Sequence, residues 1–275
     1  MTTHEQLQIA QELGVGNDFD PVVEIRRRVD FLASYAAAAG ARTLVLGISG
    51  GVDSSVSGRL CQLAVESLRE RGTAARFVAM RLPYGVQADE ADAQRALKFI
   101  SPDETLSVDI KPAADGMLRE LRTAGLAFAD AAQEDFVLGN IKARQRMIAQ
   151  YAVAGARSGI VVGTDHAAEA IMGFFTKFGD GGFDVTALGG LTTRRVRAIA
   201  TQLGADGALA LKVPTADLET LRPQLPDEVA LGVSYEQVDD FLEGREVDPA
   251  AAEVILRTYR RTAHKRALPA APDTR

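Results

Sequence analysis

A chain of 275 residues, 47% of them hydrophobic, has enough apolar mass for one large α/β core with helical appendages. Its formal net charge of −6 argues against a nucleic-acid binder, whose footprint is usually basic, and the single cysteine, Cys61, excludes an intrachain disulfide or a four-cysteine metal site. No apolar run approaches the ~18 residues of a membrane span and no signal peptide opens the chain, so a soluble, cytoplasmic protein with neither membrane nor nucleic-acid partners is expected.

Residues 5–39 read as one or two helices. Val22, Ile25, Val29 and Leu32 recur at helical spacing, and Arg26-Arg27-Arg28 between them reads as a solvated face. A strand near 42–48 leads into a Gly/Ser-rich turn, and a helix follows over 53–71. Cys61 falls in that helix and reads as a buried small hydrophobe. A second strand at 76–82 is broken by Pro83-Tyr84-Gly85, and an alanine-rich helix follows over 88–100. A third strand is expected at 105–110, with Pro112 opening the next helix, since proline suits the first helical turn. A long helix at 134–157 precedes a fourth strand, Gly159–Gly163. Residues 178–184 and the proline-bearing stretch 213–226 read as loops, and two helices follow from Ser234. Strands alternating with helices imply an α/β, doubly wound parallel sheet flanked by helices, with ligands at the carboxyl ends of its strands.

The turn after the first strand reads Gly47-Ile48-Ser49-Gly50-Gly51-Val52-Asp53-Ser54. Such a turn offers backbone N–H groups and hydroxyls at a helix N-terminus, where an oxyanion such as pyrophosphate is best held. Asp53 places a carboxylate beside that anion, an arrangement that makes sense chiefly with a bridging Mg²⁺. Neither GxxxxGK[ST] nor GxGxxG is present, and the turn matches the SGGxDS loop of ATP pyrophosphatases. A ligand-free βα turn is the plain alternative; the strand–turn–helix context favours phosphate.

Gly163-Thr164-Asp165-His166-Ala167-Ala168-Glu169 follows the fourth strand and so falls at the same sheet edge. Thr164 supplies a hydroxyl there, and Glu169 is either a second metal-ligating carboxylate or an acid favoured in a first helical turn. His166 reads as a structural, hydrogen-bonded imidazole rather than a base. Asn140, Arg144 and Tyr151 recur at about one-turn multiples, so Arg144 either forks onto an anion or belongs to an ordinary basic face. Met147 and Ile148 read as core, and His264-Lys265-Arg266 as either a binding cluster or a solvated helix end.

Several segments together resemble the ammonia-dependent NAD synthetases, members of the N-type ATP pyrophosphatases with an adenine nucleotide alpha hydrolase-like fold. They are LGISGGVDSS at 46–55, RLPYG at 81–85, NIKARQRMIAQY at 140–151, GTDHAAEAIMGFFTKFGDGG at 163–182, KVPTADL at 212–218 and HKR at 264–266. The first is shared with GMP, asparagine and argininosuccinate synthetases; the fourth is far more specific. The resemblance runs from about Leu7 to Leu268 and implies a single synthetase domain over 1–275 with helical N- and C-terminal extensions.

It further implies ATP-dependent amidation of deamido-NAD to NAD by ammonia, through an adenylate, with release of AMP and pyrophosphate. Asp53 and Glu169 would be the catalytic carboxylates and hold Mg²⁺. Gly47 through Ser54, with Arg81, Thr164, Thr193 and Thr215, would contact ATP; Arg144, Lys177, Asp184, His264 and Lys265 would bind deamido-NAD, the last two across a homodimer interface. The segments 81–85 and 211–226 resemble the family's two closing loops. Thr193 stands where the family commonly has a lysine, which removes a cationic contact to ATP unless Arg194 or Arg195 substitutes; Ala187 replaces a usual proline, and Glu219–Arg222 is less acidic than the pattern. A tRNA-thiolating relative is disfavoured by the lone cysteine and acidic charge, and a non-catalytic nucleotide sensor by Glu169 and Lys177. Glutamine-dependent relatives carry an added Cys-Glu-Lys hydrolase domain for which this chain has no room, so free ammonia is the expected nitrogen donor.

Overall fold

Thr43-Leu44-Val45-Leu46-Gly47 is apolar without alternation, the pattern of a strand covered on both faces, and it forms the central strand of the sheet. The computed structural model describes residues 4–85, 90–213, 215–216, 218–219, 221 and 225–272. In chain order the elements are α1 His4–Glu12, α2 Pro21–Ala38, β1 Thr43–Gly47, α3 Val52–Glu70, β2 Arg76–Arg81, α4 Glu90–Ile100, β3 Glu104–Ser107, α5 Lys111–Thr123, α6 Ala131–Ala156 and β4 Gly159–Gly163. Then come α7 Ala167–Met172, β5 Val185–Thr186, α8 Thr193–Gln202, α9 Gly207–Ala210, β6 Thr215–Ala216, β7 Leu225–Pro226, α10 Asp227–Leu231, α11 Tyr235–Leu242, α12 Pro249–Arg261 and α13 Ala263–Arg266. The five-stranded sheet has the order β3-β2-β1-β4-β5, and every pairing in it is parallel.

The chain winds outward from β1 to β3, then returns to lay β4 on the other side of β1. The strand order reverses there, and at such a point the loops after neighbouring strands diverge and leave a crevice at their carboxyl ends. Leu32, Leu44, Leu60 and Phe77 pack in the core on one face of the sheet, and Val45, Val78, Met80, Ala154 and Val161 on the other. A further apolar cluster joins the two ends of the chain: Ile9 of α1 packs with Ile171 of α7, Val238 and Phe241 of α11 and Ile255 of α12. Gln6 ties α1 to this group by donating to the Phe241 and Arg245 carbonyls, at 2.9 Å each.

The expected elements form, with instructive differences. β3 ends at Ser107 because Asp109 accepts the Gly85 and Lys111 N–H groups, turning the chain into α5. Residues 88–89 of the expected helix lie outside the described residues, and α4 begins at Glu90. No sequence signal marks β5, which is two residues long. The loop-like stretch 213–226 contains the antiparallel pair β6–β7. Arg28 is not solvated: it is 5% exposed, pairs with Glu24 and donates to the Ala187 and Gly189 carbonyls, and burial pushes its guanidinium down to about 10. Ile148 is 51% exposed rather than core. Cys61 is fully buried, and that burial raises its thiol pKa. Among the described residues no helix is long and apolar enough to cross a membrane.

Gly163 closes β4 against an aromatic ring: a Cβ there would lie 2.2 Å from Phe183 Cδ1. Gly163→Ala is therefore expected to lower stability by about 1–3 kcal/mol through overpacking, read as a lower urea midpoint at unchanged slope. An unchanged midpoint would show that the ring yields freely.

Candidate active site

Gly47 ends β1, and the next four residues swing the chain into α3. Gly50 takes φ +87°, a left-handed conformation, and a Cβ there would meet the Ala93 backbone N at 3.0 Å, so glycine is required twice over. Gly51 caps α3 without a side-chain hydrogen bond, which leaves the first-turn N–H groups to the crevice. The hydroxyls brace the turn: Ser49 Oγ lies 3.0 Å from Ser54 Oγ and accepts the Gly51 N–H, and Ser55 donates to the Gly51 carbonyl at 2.7 Å. From the helix beneath, Gln150 Oε1 accepts the Gly47 N–H at 2.7 Å. The result is a braced turn, a candidate anion cradle, at the N-terminus of a 19-residue helix.

Asp53 sits in the first turn of α3 and Glu169 in the first turn of α7, so the two helix starts that flank the reversal each bring a carboxylate to it. Between them lies His166, the N-cap residue of α7, with Nε2 at 3.7 Å from Asp53 Oδ1 and 3.8 Å from Glu169 Oε2. One ligand atom of each of these residues lies within 4.8 Å of the others. Asp53 Oδ1 is buried and has no hydrogen-bond partner among the described residues. An orphaned carboxylate oxygen facing a second carboxylate fits a hard divalent cation. His166 is buried, but it is not the hydrogen-bonded imidazole that the sequence suggests: Nδ1 has no partner among the described residues, and Nε2 lies 3.7 Å and 3.8 Å from the two carboxylates.

More acids stand behind this pair. Burial, with Asp180 and Asp53 close by, pushes Asp165 up to about 8. Burial first, then the charges of Asp53, Asp165, Asp180 and Asp227, raise Glu169 well above the ordinary carboxylate range. Burial also raises Asp180, against the opposing N–H of Thr176, and lowers His166. Four cations line the same cavity: Lys212 donates to the Gly50 carbonyl and pairs with Asp92, Arg81 donates to Ile48 O at 2.6 Å, Arg146 donates to Leu82 O, and Lys265 donates to the Gly173 and Phe175 carbonyls.

A cavity of about 550 Å³ joins these groups, within the ordinary size range of a small-molecule pocket. Gly47, Ile48, Ser49, Gly51, Val52, Asp53, Ser54, Arg81, Thr164, Glu169 and Lys265 line it. Other sequence-derived candidates stand elsewhere. Gly50 turns its carbonyl to Lys212 and is not on the wall. Thr193 does not reach the cavity: it opens α8, is 3% exposed, and its N–H is held by Asp239. Neither arginine beside it stands in for the family lysine, because Arg194 pairs with Asp240 and Glu243 while Arg195 pairs with Glu243. The Thr215 side chain lies outside the described residues. Arg144 and Lys177 lie off the wall and meet each other, Arg144 donating to Lys177 O and Lys177 to His264 O. Asp184, exposed, accepts from the Tyr151 hydroxyl and the Val161 N–H.

Sequence reasoning missed Arg146, Gln150, Asp180, Lys212 and Asp227, all of which line the cavity. On α6 the wall is made by Phe136, Gly139, Asn140, Ala143, Arg146 and Gln150. The small residues Gly139 and Ala143 are the signal that could have marked that face, where the chosen triplet pointed to Arg144.

A family model described as NAD synthase matches residues 24–269. An NH(3)-dependent NAD(+) synthetase of Burkholderia pseudomallei (strain 1106a) is 68% identical over 261 residues, covering 95% of this chain and 92% of the relative. Among solved structures, the NAD+ synthetase from Burkholderia pseudomallei aligns with a TM-score of 0.84 at 65% identity, over 96% of this chain and 97% of that one. The NMN synthetase from Francisella tularensis aligns at 0.80 and 32% identity, over 94% and 100%.

The acid cluster sets a pH dependence. Asp165 and Glu169 hold protons in the fold that the unfolded chain releases, so their stabilising contribution is complete below the ordinary carboxylate range and is lost as pH rises toward about 8. His166, lowered from 6.5, acts oppositely and only below that value, so between pH 6.5 and 8 the acids decide. The metal-free protein should melt several degrees lower at pH 8 than at 6.5, and added Mg²⁺ should raise Tm more at the higher pH. Equal melting at both values, with and without Mg²⁺, would refute the clustering of charge.

Proposed function

The chain belongs to the NAD synthase family, and on that premise we propose that it amidates deamido-NAD to NAD with ATP and ammonia. The nicotinate carboxylate attacks the α-phosphorus of ATP, forming an acyl adenylate and expelling pyrophosphate; ammonia then attacks the acyl carbon and AMP leaves. A carboxylate is a poor acyl donor until its oxygen becomes a good leaving group, so the protein must chiefly stabilise departing phosphate charge. The observation that carries the reading is the meeting of the anion cradle with Asp53 and Glu169 at the strand-order reversal.

In this reading the turn 47–54 holds the ATP phosphates, chiefly through the first-turn N–H groups of α3 that no side chain caps. Arg81 and Lys212 supply positive charge beside them, and Thr164 and Thr215 contact the nucleotide. Asp53 and Glu169 would hold Mg²⁺, which would supply positive charge beside the phosphates when bound. Lys265, from the cavity wall, meets the second substrate. Arg144, Lys177, Asp184 and His264 are substrate contacts completed by a second copy of the chain. Their position off the cavity wall supports this, as do the exposed apolar side chains Phe31, Tyr35, Ile148 and Tyr151, of which Tyr35 and Tyr151 both hydrogen-bond to Asp184. Residues 1–275 act as one catalytic domain, in the cytoplasm.

The deciding assay supplies ATP and Mg²⁺ with deamido-NAD or its mononucleotide counterpart, and with ammonium or glutamine. NAD from deamido-NAD and ammonium is expected. Amidation of the mononucleotide alone would move the assignment to the activity named for the Francisella relative. Asp53→Asn should abolish most turnover with Tm retained; near-normal turnover would remove the metal role. Ile148→Asp should shift the sedimentation coefficient from dimer to monomer and lower activity, whereas a monomeric wild type would refute the shared site.

A further inference from the structure

Arg28, buried in α2, has its guanidinium engaged wholly with other parts of the protein. Its Nε donates to Glu24 at 3.0 Å, one terminal nitrogen to the Ala187 carbonyl at 2.7 Å and the other to the Gly189 carbonyl at 3.0 Å. Both carbonyls belong to the connection between β5 and α8. A buried guanidinium is costly unless its N–H groups find acceptors, and a planar fork fixes the two carbonyls it holds relative to each other. The same connection is closely packed at Gly190, which takes φ +79°; a Cβ there would lie 2.4 Å from the Gly14 carbonyl oxygen.

This stretch grips the segment that follows β4. Thr186 Oγ1 donates to the Asp165 carbonyl at 2.9 Å, and the Ala167 N–H donates to the Leu191 carbonyl at 2.8 Å. A longer bond, 3.4 Å, runs from the Ala187 N–H to the Gly163 carbonyl. Residues 186–191 therefore hold the main chain at 163, 165 and 167, on both sides of His166. Helix α7 starts there and carries Glu169 in its first turn. A six-residue helix has little direction of its own and takes it from what fixes its ends. A continuous line of hydrogen bonds thus runs from Arg28 through the β5–α8 connection to the start of α7, two residues before the carboxylate that converges with Asp53.

We propose that Arg28 and Thr186 are positioning residues of the active site: by fixing residues 186–191 they set where α7 starts, and so aim Glu169 at a divalent cation shared with Asp53. The inference rests on the metal role given to those two carboxylates. Neither residue touches the ion. Each raises affinity by holding a ligand where it is needed, so that less freedom is lost when the ion binds.

Thr186→Val gives the cleanest test, because it keeps the branched shape of the side chain and removes the hydroxyl. Arg28→Met removes the fork, and Arg28→Lys restores one donor. Leu118→Ala, in the separate apolar cluster of α5 and α6, is a control that loses stability without touching this path. Three quantities are measured on the full chain without nucleotide: Tm, the Mg²⁺ concentration giving half the maximal rise in Tm, and amide hydrogen exchange of the peptide 163–172. Thr186→Val and Arg28→Met should each need several-fold more Mg²⁺ and exchange several-fold faster in that peptide. Arg28→Lys should fall between them and wild type, and Leu118→Ala should lower Tm while leaving the other two readouts unchanged. If Arg28→Met does not fold, Thr186→Val and Arg28→Lys decide. Unchanged exchange in these variants overturns the brace. Faster exchange with an unchanged Mg²⁺ requirement overturns the aiming of Glu169, as does an equal Mg²⁺ shift in Leu118→Ala. A wild-type Tm that does not respond to Mg²⁺ refutes the metal reading instead, and the exchange arm still decides the brace.

Discussion

Crowding of carboxylates in a water-poor crevice is the constraint from which the rest of this structure follows. Asp165 and Glu169 cannot ionise freely among their acidic neighbours without compensation: at 4 Å two like charges repel by about 4 kcal/mol even at an effective dielectric of 20. Burial accordingly raises Asp165, Glu169 and Asp180, and the charges of neighbouring acids add to the rise at Asp165 and Glu169. The crevice therefore demands positive charge, which protons meet at low pH and a divalent cation meets at neutral pH. A site of this kind costs the fold stability when empty and returns it on binding, a trade characteristic of functional rather than structural acid clusters.

The cations around the crevice complement that arrangement. Arg81, Arg146, Lys212 and Lys265 each donate to a main-chain carbonyl near the cavity. A neutral carbonyl is a weaker acceptor than a phosphate oxygen, so a polyphosphate entering here would offer these cations an oppositely charged partner in place of a neutral one. The same bonds hold the cradle open meanwhile: Arg81 grips Ile48 O and Lys212 grips Gly50 O, the two carbonyls on either side of Ser49. Cavity-lining cations and loop scaffold are one set of residues.

Glu169 depends on parts of the chain remote from the sheet. Helix α7 is six residues long, too short to persist unaided. Ile171 is packed among α1, α11 and α12, and the last helix clamps its far end: Arg266 donates to Ala170 O and Lys265 to Gly173 O. The terminal helices therefore aim a carboxylate at the crevice as well as adding apolar contacts. Lys265 belongs to both functions, bracing the end of α7 and standing in the cavity wall.

Local chemistry was legible in the sequence and side-chain direction was not. The turn at 47–54 is encoded within eight neighbours, and Glu169 follows from a strand end plus one helical turn, so both could be located without a structure. Arg146 could not, because at about 100° per residue an offset of two positions from Arg144 turns a side chain some 200° around the helix. Gln150 and Lys212 meet the cradle across 103 and 162 residues of chain, a separation over which sequence pattern carries no information. Thr193 shows the same limit for a residue inferred by likeness. Its position in the family pattern points to ATP, yet its N–H is fixed by Asp239 and its side chain is buried at the start of α8. Asp239 also accepts the Arg194 N–H, so two amides that open this helix are already neutralised from within the protein. The first two amides of α8 are thereby already held, whereas the first turn of α3 has no side-chain cap. Which helix N-termini a fold leaves uncapped, more than which polar residues stand near them, decides where an anion can bind.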